Sequence, residues 1–162
     1  MKLNPENINR AIQLFQKTNQ FNLTTRRHRG EDLKKLESDG GDVYSISYED
    51  TFGSQGIISA ITRVPETDGI YIESWLMSCR VLNRTVEQAV FAFILEKAAG
   101  KKVRGEYIPT EKNGLVQSLY KELGFKKINA VQVNENETEE WIYADYDLAC
   151  LPPKHHVSIN IE

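Results

Sequence analysis

The junction between a strand pattern and a helix pattern, at residues 78–87, constrains the fold of this chain more than any other feature. Tyr71–Cys79 alternates as a half-buried strand does, and from Val86 to Ala98 apolar residues recur at helical spacing. A chain that passes directly from strand into helix leaves the first helical N–H groups without partners, and the helix dipole adds positive potential there. Such helix ends bind anions, phosphate above all. The junction therefore predicts an α/β fold with a candidate phosphate site at this turn.

The rest of the hydropathy pattern predicts two helices, a three-strand meander, a helix, a strand, a helix and a closing hairpin. Because a helix separates Tyr71–Cys79 from Val103–Ile108, we expect these two strands to run parallel through a right-handed crossover. The result is a single domain, residues 1–162, built on a mixed sheet. The predicted helices are 4–17 (with Asn4 as N-cap), 31–38, 85–99 and 113–123, and the predicted strands are 43–48, 56–64, 71–79, 103–108, 127–133, 140–148 and 157–161.

Composition and charge narrow the class of protein. The 162 residues suffice for one buried core, and 40% hydrophobic with 27% charged residues is ordinary for a globular protein. A net charge of −3 gives no support to a nucleic-acid or membrane-surface role. Cys79 and Cys150 make neither a disulfide framework nor a metal cluster. Because the sequence has no signal segment and no apolar run of membrane length, the cytoplasm is the expected compartment.

Two motifs resemble the GNAT acyltransferase superfamily. At the strand–helix junction that superfamily carries Arg/Gln-x-x-Gly-x-Gly/Ala, and this chain has Arg80-Val81-Leu82-Asn83-Arg84-Thr85, with the arginine kept and both glycines replaced. A second segment is similar to the one that superfamily members place beside the sulfur of the cofactor. It contains Asn113, Tyr120 and Gly124-Phe125. The resemblance implies a single GNAT-like domain, the acyl-CoA N-acyltransferase fold, with a central mixed sheet flanked by helices.

Three longer segments resemble the C-terminal domain of FkbH-like proteins, which supply glyceryl-derived and methoxymalonyl extender units for polyketide biosynthesis. The segments are residues 17–27, 77–81 and 105–113, in the same order. The resemblance implies a phosphopantetheine thioester as cofactor or partner, carried by acetyl-CoA, another acyl-CoA or an acyl carrier protein. FkbH-like proteins also carry an N-terminal phosphatase-like domain, for which 162 residues leave no room, so a phosphatase-like partner in trans is one option.

By the same resemblance, the turn at residues 82–87 holds the pyrophosphate of the cofactor. Glycines in such a turn adopt positive φ and let backbone N–H groups approach phosphate; asparagine tolerates that region, whereas the β-branched Thr85 resists it. Alternatively, Thr85 is the N-cap of an ordinary helix whose first turn binds nothing, and Asn113 is the N-cap of its own helix, the interpretation favoured for it. The residues that the resemblance implies for cofactor binding are Arg80, Leu82, Asn83, Arg84, Thr85, Val86 and Asn113.

Tyr120 and Glu73 are the catalytic candidates. The resemblance implies that Tyr120 protonates the departing thiolate, which suits a phenol of pKa about 10, although its place on an apolar helix face favours a core tyrosine. Glu73 would act as a base toward an amine if it faced a cleft, and a half-buried place at a sheet edge is the structural alternative. Cys79 lies beside the cations and has a conceivable nucleophilic role, but a lone strand cysteine is usually a small buried hydrophobe.

The segment 18–27 is rich in amide, hydroxyl and guanidinium groups. In the superfamily this region lines the acceptor or acyl pocket, so that Arg26 and Arg27 would hold a carboxylate or a phosphate. Alternatively, these side chains satisfy buried backbone groups.

The sequence thus supports two functions. One is an acyltransferase-type domain in which the acceptor attacks the thioester directly, and the other is a non-catalytic GNAT-like module that docks in a biosynthetic assembly.

Overall fold

Six strands and four helices make up the described part of the chain, residues 4, 7–133, 136–143 and 157 of a computed structural model. None of these helices is long and apolar enough to cross a membrane. Short 3-10 turns at Cys79–Val81 and Gly114–Val116 follow the third and fourth strands. The helices are α1 (Ile8–Lys17), α2 (Gly30–Ser38), α3 (Val86–Ala98) and α4 (Leu119–Glu122), and the strands are β1 (Asp42–Asp50), β2 (Gly53–Glu66), β3 (Gly69–Met77), β4 (Lys102–Tyr107), β5 (Lys126–Val133) and β6 (Asn136–Tyr143).

The six strands form one mixed sheet in the order β1-β2-β3-β4-β6-β5. β3 precedes α3 in the sequence and β4 follows it, and these two strands pair in parallel. All other neighbouring strands pair antiparallel. The predicted meander, the parallel pair and the closing hairpin are therefore confirmed. β3 lies in the interior of the sheet, so the sheet-edge position considered for Glu73 is wrong.

Helices cover both faces of the sheet. Leu76 belongs to an apolar cluster shared with α1 and α2, whereas its neighbours Trp75 and Met77 belong to the larger cluster shared with α3 and α4. Because successive strand residues point to opposite faces, these two clusters lie on opposite sides of the sheet. The turn after β3 therefore leads the chain from the middle of the sheet onto the face covered by α3.

β3 and β4 pair over only four residues, Gly69–Ile72 against Lys102–Gly105, and then diverge. A segment that we call the bridging segment, Phe21–Leu23, lies between the diverging strands. It supplies hydrogen-bond partners to backbone groups that the two strands no longer satisfy for each other. Its bonds are Leu23 N–H to the Trp75 carbonyl (3.1 Å), Met77 N–H to the Phe21 carbonyl (3.0 Å) and Ile108 N–H to the Leu23 carbonyl (2.9 Å).

The helix predicted for residues 113–123 is shorter than expected. It consists of the 3-10 turn at Gly114–Val116 and the four-residue α4. Gly114 and Ser118 interrupt it, since glycine and serine gain less than alanine from the helical state. The last strand predicted, 157–161, lies outside the described residues except for Val157, as do residues 144–148 of the strand before it.

The bounds of α1 are Ile8–Lys17, and Asn4 lies at the N-terminal end of this helix. Asn4 and Asn7 each accept a hydrogen bond from the other's backbone N–H, at 2.8 and 2.9 Å, and the Ile8 N–H donates to the Asn4 carbonyl at 3.0 Å. This reciprocal pair has the pattern of a capping box and supports the predicted cap at Asn4. The predicted end of β3 differs. β3 ends at Met77, and Cys79 already belongs to the 3-10 turn. The chain therefore reaches α3 through an irregular turn of eight residues, 78–85, and not directly from the strand.

Candidate functional site

The turn from β3 into α3 has a left-handed backbone at both positions where the superfamily pattern carries glycine. Asn83 has φ 61° and Thr85 has φ 57°. Asparagine visits this region readily, but a β-branched residue does so at a cost of about 1–3 kcal/mol. Thr85 occupies the N-cap position of α3 without a side-chain hydrogen bond to the first turn, so its predicted capping role is wrong. The turn thus keeps a geometry for which glycine is normally used.

The other residues predicted to bind the cofactor at this turn differ in their burial and in their charge partners. Leu82 packs against the core, and Val86, the first residue of α3, is buried. Arg84 is 47% exposed and lies 2.7 Å from Oδ2 of Asp50, so its charge already has a partner. Arg80 is exposed and lines a cleft. Of the side chains predicted at the turn, Arg80 lines this cleft, which has its own geometry at the end of β3.

This cleft has a volume of about 900 Å³ and opens at the C-terminal end of β3. Its walls come from α1, from residues 18–21, from residues 77–80 and from the loop after β4. Phe21, the first residue of the bridging segment, lines the cleft together with Met77, so the cleft adjoins the bridging segment. The C-terminal end of β3 and the loop after β4 therefore both border the cleft.

Asn113 is fully buried, and its side chain ties the bridging segment to the loop after β4. Its Nδ2 donates to the carbonyl oxygens of Asn22 and Ile108, both at 2.9 Å, and its Oδ1 accepts from the Thr110 N–H at 2.8 Å. It makes no side-chain hydrogen bond to the turn that it precedes, so the predicted N-cap is wrong. Both ends of the amide are engaged by the protein itself.

Tyr120 is enclosed in the core, with a side chain that is 1% exposed and packs against Phe125 and Trp141. A Cβ at Gly105 would lie 2.2 Å from the Tyr120 hydroxyl oxygen, so the missing side chain at Gly105 makes room for the phenol. This hydroxyl has no hydrogen-bond partner among the described residues, and burial raises the pKa of Tyr120 well above its usual value. The phenol keeps its proton, as a general acid must, but it does not line the cleft.

Glu73 lies at a β-bulge of β3 and belongs to a polar cluster under α1 and α2. Its carboxylate accepts hydrogen bonds from His28 (2.8 Å) and Thr62 (2.5 Å) and lies 3.3 Å from Nε of Arg26. Burial raises the pKa of Glu73, but the hydrogen bonds from His28 and Thr62 and the charges of His28 and Arg26 outweigh it and lower that pKa below its usual value. This ionised carboxylate is saturated with internal donors and does not line the cleft.

Arg26 connects the cluster to the neighbouring strand. Its Nη2 lies 2.6 Å from Oε2 of Glu106 on β4, and its Nη1 donates to the backbone carbonyl of Glu73 at 2.5 Å. The side chains of Glu73 and Glu106 are only 16% and 17% exposed. One guanidinium therefore forms ion pairs with two poorly solvated carboxylates on adjacent strands.

Arg27 serves the backbone of the protein in a similar way. Its Nη1 donates to the carbonyl oxygens of Phe15 (2.6 Å) and Thr18 (3.0 Å), and its Nη2 donates to the side chain of Asn19. Both arginines thus hold the segment after α1 in place, which corresponds to the structural interpretation of residues 18–27. The arginines and lysines that line the cleft are others: Arg10, Lys17, Arg80 and Lys112.

Two groups of residues escaped the sequence analysis. The first is the pair His28 and Glu106, which the structure brings to Glu73 and Arg26. A signal existed for Glu106, because like charges on neighbouring strands are destabilising unless a cation lies between them. The second is the set of cleft cations on α1 and after β4, which no local motif marks. Cys79, expected to be buried, is exposed and lines the cleft. No three His, Cys, Asp or Glu side chains of the described residues come together as a metal site.

Solved structures of GNAT acetyltransferases share this fold. An aminoglycoside 6'-N-acetyltransferase solved with coenzyme A has a TM-score of 0.65 at 7% identity, covering 88% of this chain and 94% of that chain. A phosphinothricin acetyltransferase from Sinorhizobium meliloti, solved with acetyl-CoA, has a TM-score of 0.60 at 7% identity, covering 88% and 85%. A GNAT-family protein from Desulfovibrio desulfuricans has a TM-score of 0.66 at 11% identity, covering 88% and 94%.

The predicted fold class, an α/β domain of GNAT type with a mixed sheet flanked by helices, is therefore confirmed. No family model and no curated protein sequence matches the chain. Identities of 7% to 11% establish the fold alone. The narrower resemblance to FkbH-like proteins stays a prediction.

Proposed function

We propose that this protein is an acyltransferase whose acyl donor is a phosphopantetheine thioester, carried by coenzyme A or by an acyl carrier protein. The observation that carries the proposal is the pair of left-handed residues, Asn83 and Thr85, at the turn into α3. Backbone strain of this kind persists mostly where function requires it, and the N–H groups at the start of a helix suit a pyrophosphate. The structural neighbours solved with coenzyme A and acetyl-CoA support the same class of ligand.

In this proposal the turn at residues 82–87 holds the pyrophosphate, and Arg80 adds a positive charge beside it. The ends of β3 and β4 orient the thioester carbonyl, and a nucleophile on the acceptor attacks that carbonyl directly. The new bond to the carbonyl carbon replaces the bond to sulfur. Tyr120 would give its proton to the leaving thiolate and regain one from the attacking group. Asn113 would act indirectly, by holding the bridging segment.

Titration with coenzyme A and acetyl-CoA tests the proposal, with adenosine bisphosphate as a fragment control. A ligand at a hundred times its dissociation constant stabilises a protein by about 2.7 kcal/mol, which a thermal-unfolding experiment resolves in a domain of this size. We expect such a shift with both coenzyme A and acetyl-CoA. A parallel titration with phosphopantetheinylated acyl carrier protein identifies the carrier. If neither coenzyme A nor carrier protein shifts the unfolding temperature, the proposal is wrong.

Replacing Thr85 with glycine is expected to raise the free energy of unfolding by about 1 kcal/mol, because glycine adopts positive φ without strain. It should also tighten coenzyme A binding roughly three- to tenfold, because the turn can then approach a phosphate more closely. Ala99→Gly is the matched control, since Ala99 has φ 51° at the other end of α3. That control should gain stability without a change in affinity. Equal changes in affinity for both variants would contradict a ligand at this turn.

Replacing Tyr120 with phenylalanine separates a structural from a catalytic role. The hydroxyl is buried without a partner among the described residues, so its removal is expected to leave stability unchanged or to raise it by about 1 kcal/mol. If Tyr120 protonates the thiolate, turnover should fall about 100-fold while thioester affinity is unchanged. Single-turnover transfer and a binding titration measure the two quantities. Unchanged turnover would remove Tyr120 from the mechanism.

The bridging segment favours a second candidate, a non-catalytic GNAT-like module that docks in a biosynthetic assembly. Phe21–Leu23 occupies the space between the diverging strands, and Tyr120 and Asn113 both lie buried in the fold. Glu87, in the first turn of α3, is buried and already places an acid near the positive end of the helix dipole. This candidate predicts no coenzyme A binding by the parent protein, and carrier-protein binding that survives the Tyr120→Phe change.

The narrower part of the proposal concerns the pathway. The FkbH-like segments at 17–27, 77–81 and 105–113 support transfer of a glyceryl-derived or methoxymalonyl unit in polyketide extender synthesis, with a phosphatase-like partner in trans. Mass spectrometry of a carrier protein incubated with this protein, with and without such a partner, tests this. An acyl carrier protein that stays unmodified in both incubations would contradict it.

A further inference from the structure

Positive charge is concentrated in the cleft at the end of β3. Four of the side chains that line it are cations and one, Glu111, is an acid, although the whole chain has a net charge of −3. The cations come from separate parts of the chain: Arg10 and Lys17 from α1, Arg80 from the turn after β3, and Lys112 from the loop after β4. A cleft lined by charges of one sign concentrates ions of the opposite sign.

These four cations form no ion pair with an acid in the part of the chain that the structure describes. Arg10 donates to the Gln13 side chain and Arg80 to the Ser78 hydroxyl, and both of these partners are neutral. Other arginines are neutralised within the fold: Arg26 by Glu73 and Glu106, Arg63 by Asp42, and Arg84 by Asp50. Within the described residues, the cleft therefore keeps a positive charge that no ion pair offsets.

Neutral polar groups line the same cleft, and the fold holds them in place. Residues 18–20 contribute a hydroxyl and two amides. Arg27 fixes this segment by its bonds to the Thr18 carbonyl and the Asn19 side chain, and Asn113 fixes the residues that follow by its bond to the Asn22 carbonyl. Guanidinium, ammonium, amide and hydroxyl donors together are the groups that bind carboxylate and phosphate oxygens.

We propose that the cleft binds a small-molecule acceptor that carries a carboxylate or a phosphate, and that Arg10, Lys17 and Lys112 select it by this charge. The proposal rests on the acyltransferase function proposed above and names the substrate class of that site. Arg10 and Lys17 come from α1 and Lys112 from the loop after β4, and not from the turn at 82–87 to which the proposed function assigns the pyrophosphate. The nucleophile of the acceptor forms its bond to the thioester carbonyl carbon as the carbon–sulfur bond breaks, and its proton leaves with the thiolate.

Titration followed by protein NMR tests this proposal with succinate and inorganic phosphate as probes and succinamide as the uncharged match of succinate. We expect succinate or phosphate to bind with a dissociation constant of about 1 mM or below and to shift the amide signals of residues 17–21 and 77–80. Succinamide should not bind. Arg10→Ala/Lys17→Ala should weaken anion binding about tenfold or more, and Lys121→Ala, an exposed lysine outside the cleft, should leave it unchanged.

Three outcomes would overturn the proposal. One is equal binding of succinate and succinamide, and another is an absence of anion binding up to about 20 mM. The third is anion binding that depends on Arg80, is abolished by coenzyme A and is unchanged in the Arg10→Ala/Lys17→Ala variant. This combination would show that the anion occupies a phosphate position of the cofactor. Coenzyme A is titrated separately. Anion binding without binding of either coenzyme A or the phosphopantetheinylated carrier protein therefore contradicts the acyltransferase function and leaves the anion site standing.

Discussion

Replacing Asn113 with alanine is expected to lower the free energy of unfolding by about 3–5 kcal/mol. The Asn113 side chain joins the bridging segment to the loop after β4 through the carbonyl oxygens of Asn22 and Ile108 and the N–H of Thr110. Alanine would leave these groups without partners, and each unsatisfied buried group costs about 1–3 kcal/mol. Urea unfolding followed by circular dichroism measures the change.

Asn9→Ala is the matched control for Asn113→Ala, because Asn9 is exposed on α1. Its free energy of unfolding should stay within about 0.5 kcal/mol of the parent. A loss below about 1 kcal/mol for Asn113→Ala would contradict the structural role. If instead the folded variant loses coenzyme A affinity with little loss of stability, Asn113 contacts the cofactor directly, as its motif predicts.

Replacing Arg26 with alanine is expected to lower the free energy of unfolding by about 2–4 kcal/mol at neutral pH, because it leaves Glu73 and Glu106 without their shared cation. The pKa of Glu73 lies below its usual value in the folded protein. Its contribution to stability is therefore complete above the unfolded pKa of about 4.3 and is lost as the pH falls through the lower folded pKa. Unfolding free energies at pH 7 and at about pH 3 should show a larger penalty at pH 7.

Lys35→Ala tests whether any ion pair would give the same result. Lys35 and Asp39 form an exposed pair, with side chains 75% and 61% exposed, and water screens such pairs so that they contribute little to stability. A similar loss of unfolding free energy for Lys35→Ala and Arg26→Ala would show that the cluster around Glu73 stabilises the protein no more than an exposed ion pair does. A penalty for Arg26→Ala that does not change with pH would show that lost packing, and not charge, is responsible.

The order of elements was predictable from the sequence because it depends on local periodicity. Alternation in β3 and helical spacing in α3 are both properties of short windows, and the glycines at 41, 53, 69, 100 and 124 mark the turns. The parallel pairing of β3 with β4 followed from the helix between them. The helix predicted at 113–123 was too long because apolar spacing alone does not register the weak propensities of Gly114 and Ser118.

The candidate site was predictable only in part. Sequence spacing marked residues 80–86 as a turn with replaced glycines, but it did not say whether Asn83 and Thr85 adopt positive φ. That is decided by the packing of Leu82 and Val86 against the core, which holds the turn between them in place. Tyr120 and Asn113 lay in a motif of the superfamily, but burial, which is a tertiary property, separates them from the cleft.

By itself, the sequence determined the sheet of mixed direction, the turn into α3 and the residues available there, because each of these depends on neighbours along the chain. The tertiary structure alone decided that Phe21–Leu23 enters between β3 and β4, that Arg26 joins Glu73 to Glu106, and that cations from α1 meet Arg80 and Lys112 in one cleft. The contacts of Arg26 alone join residues 47 and 80 positions apart, and only the closed fold brings such groups together.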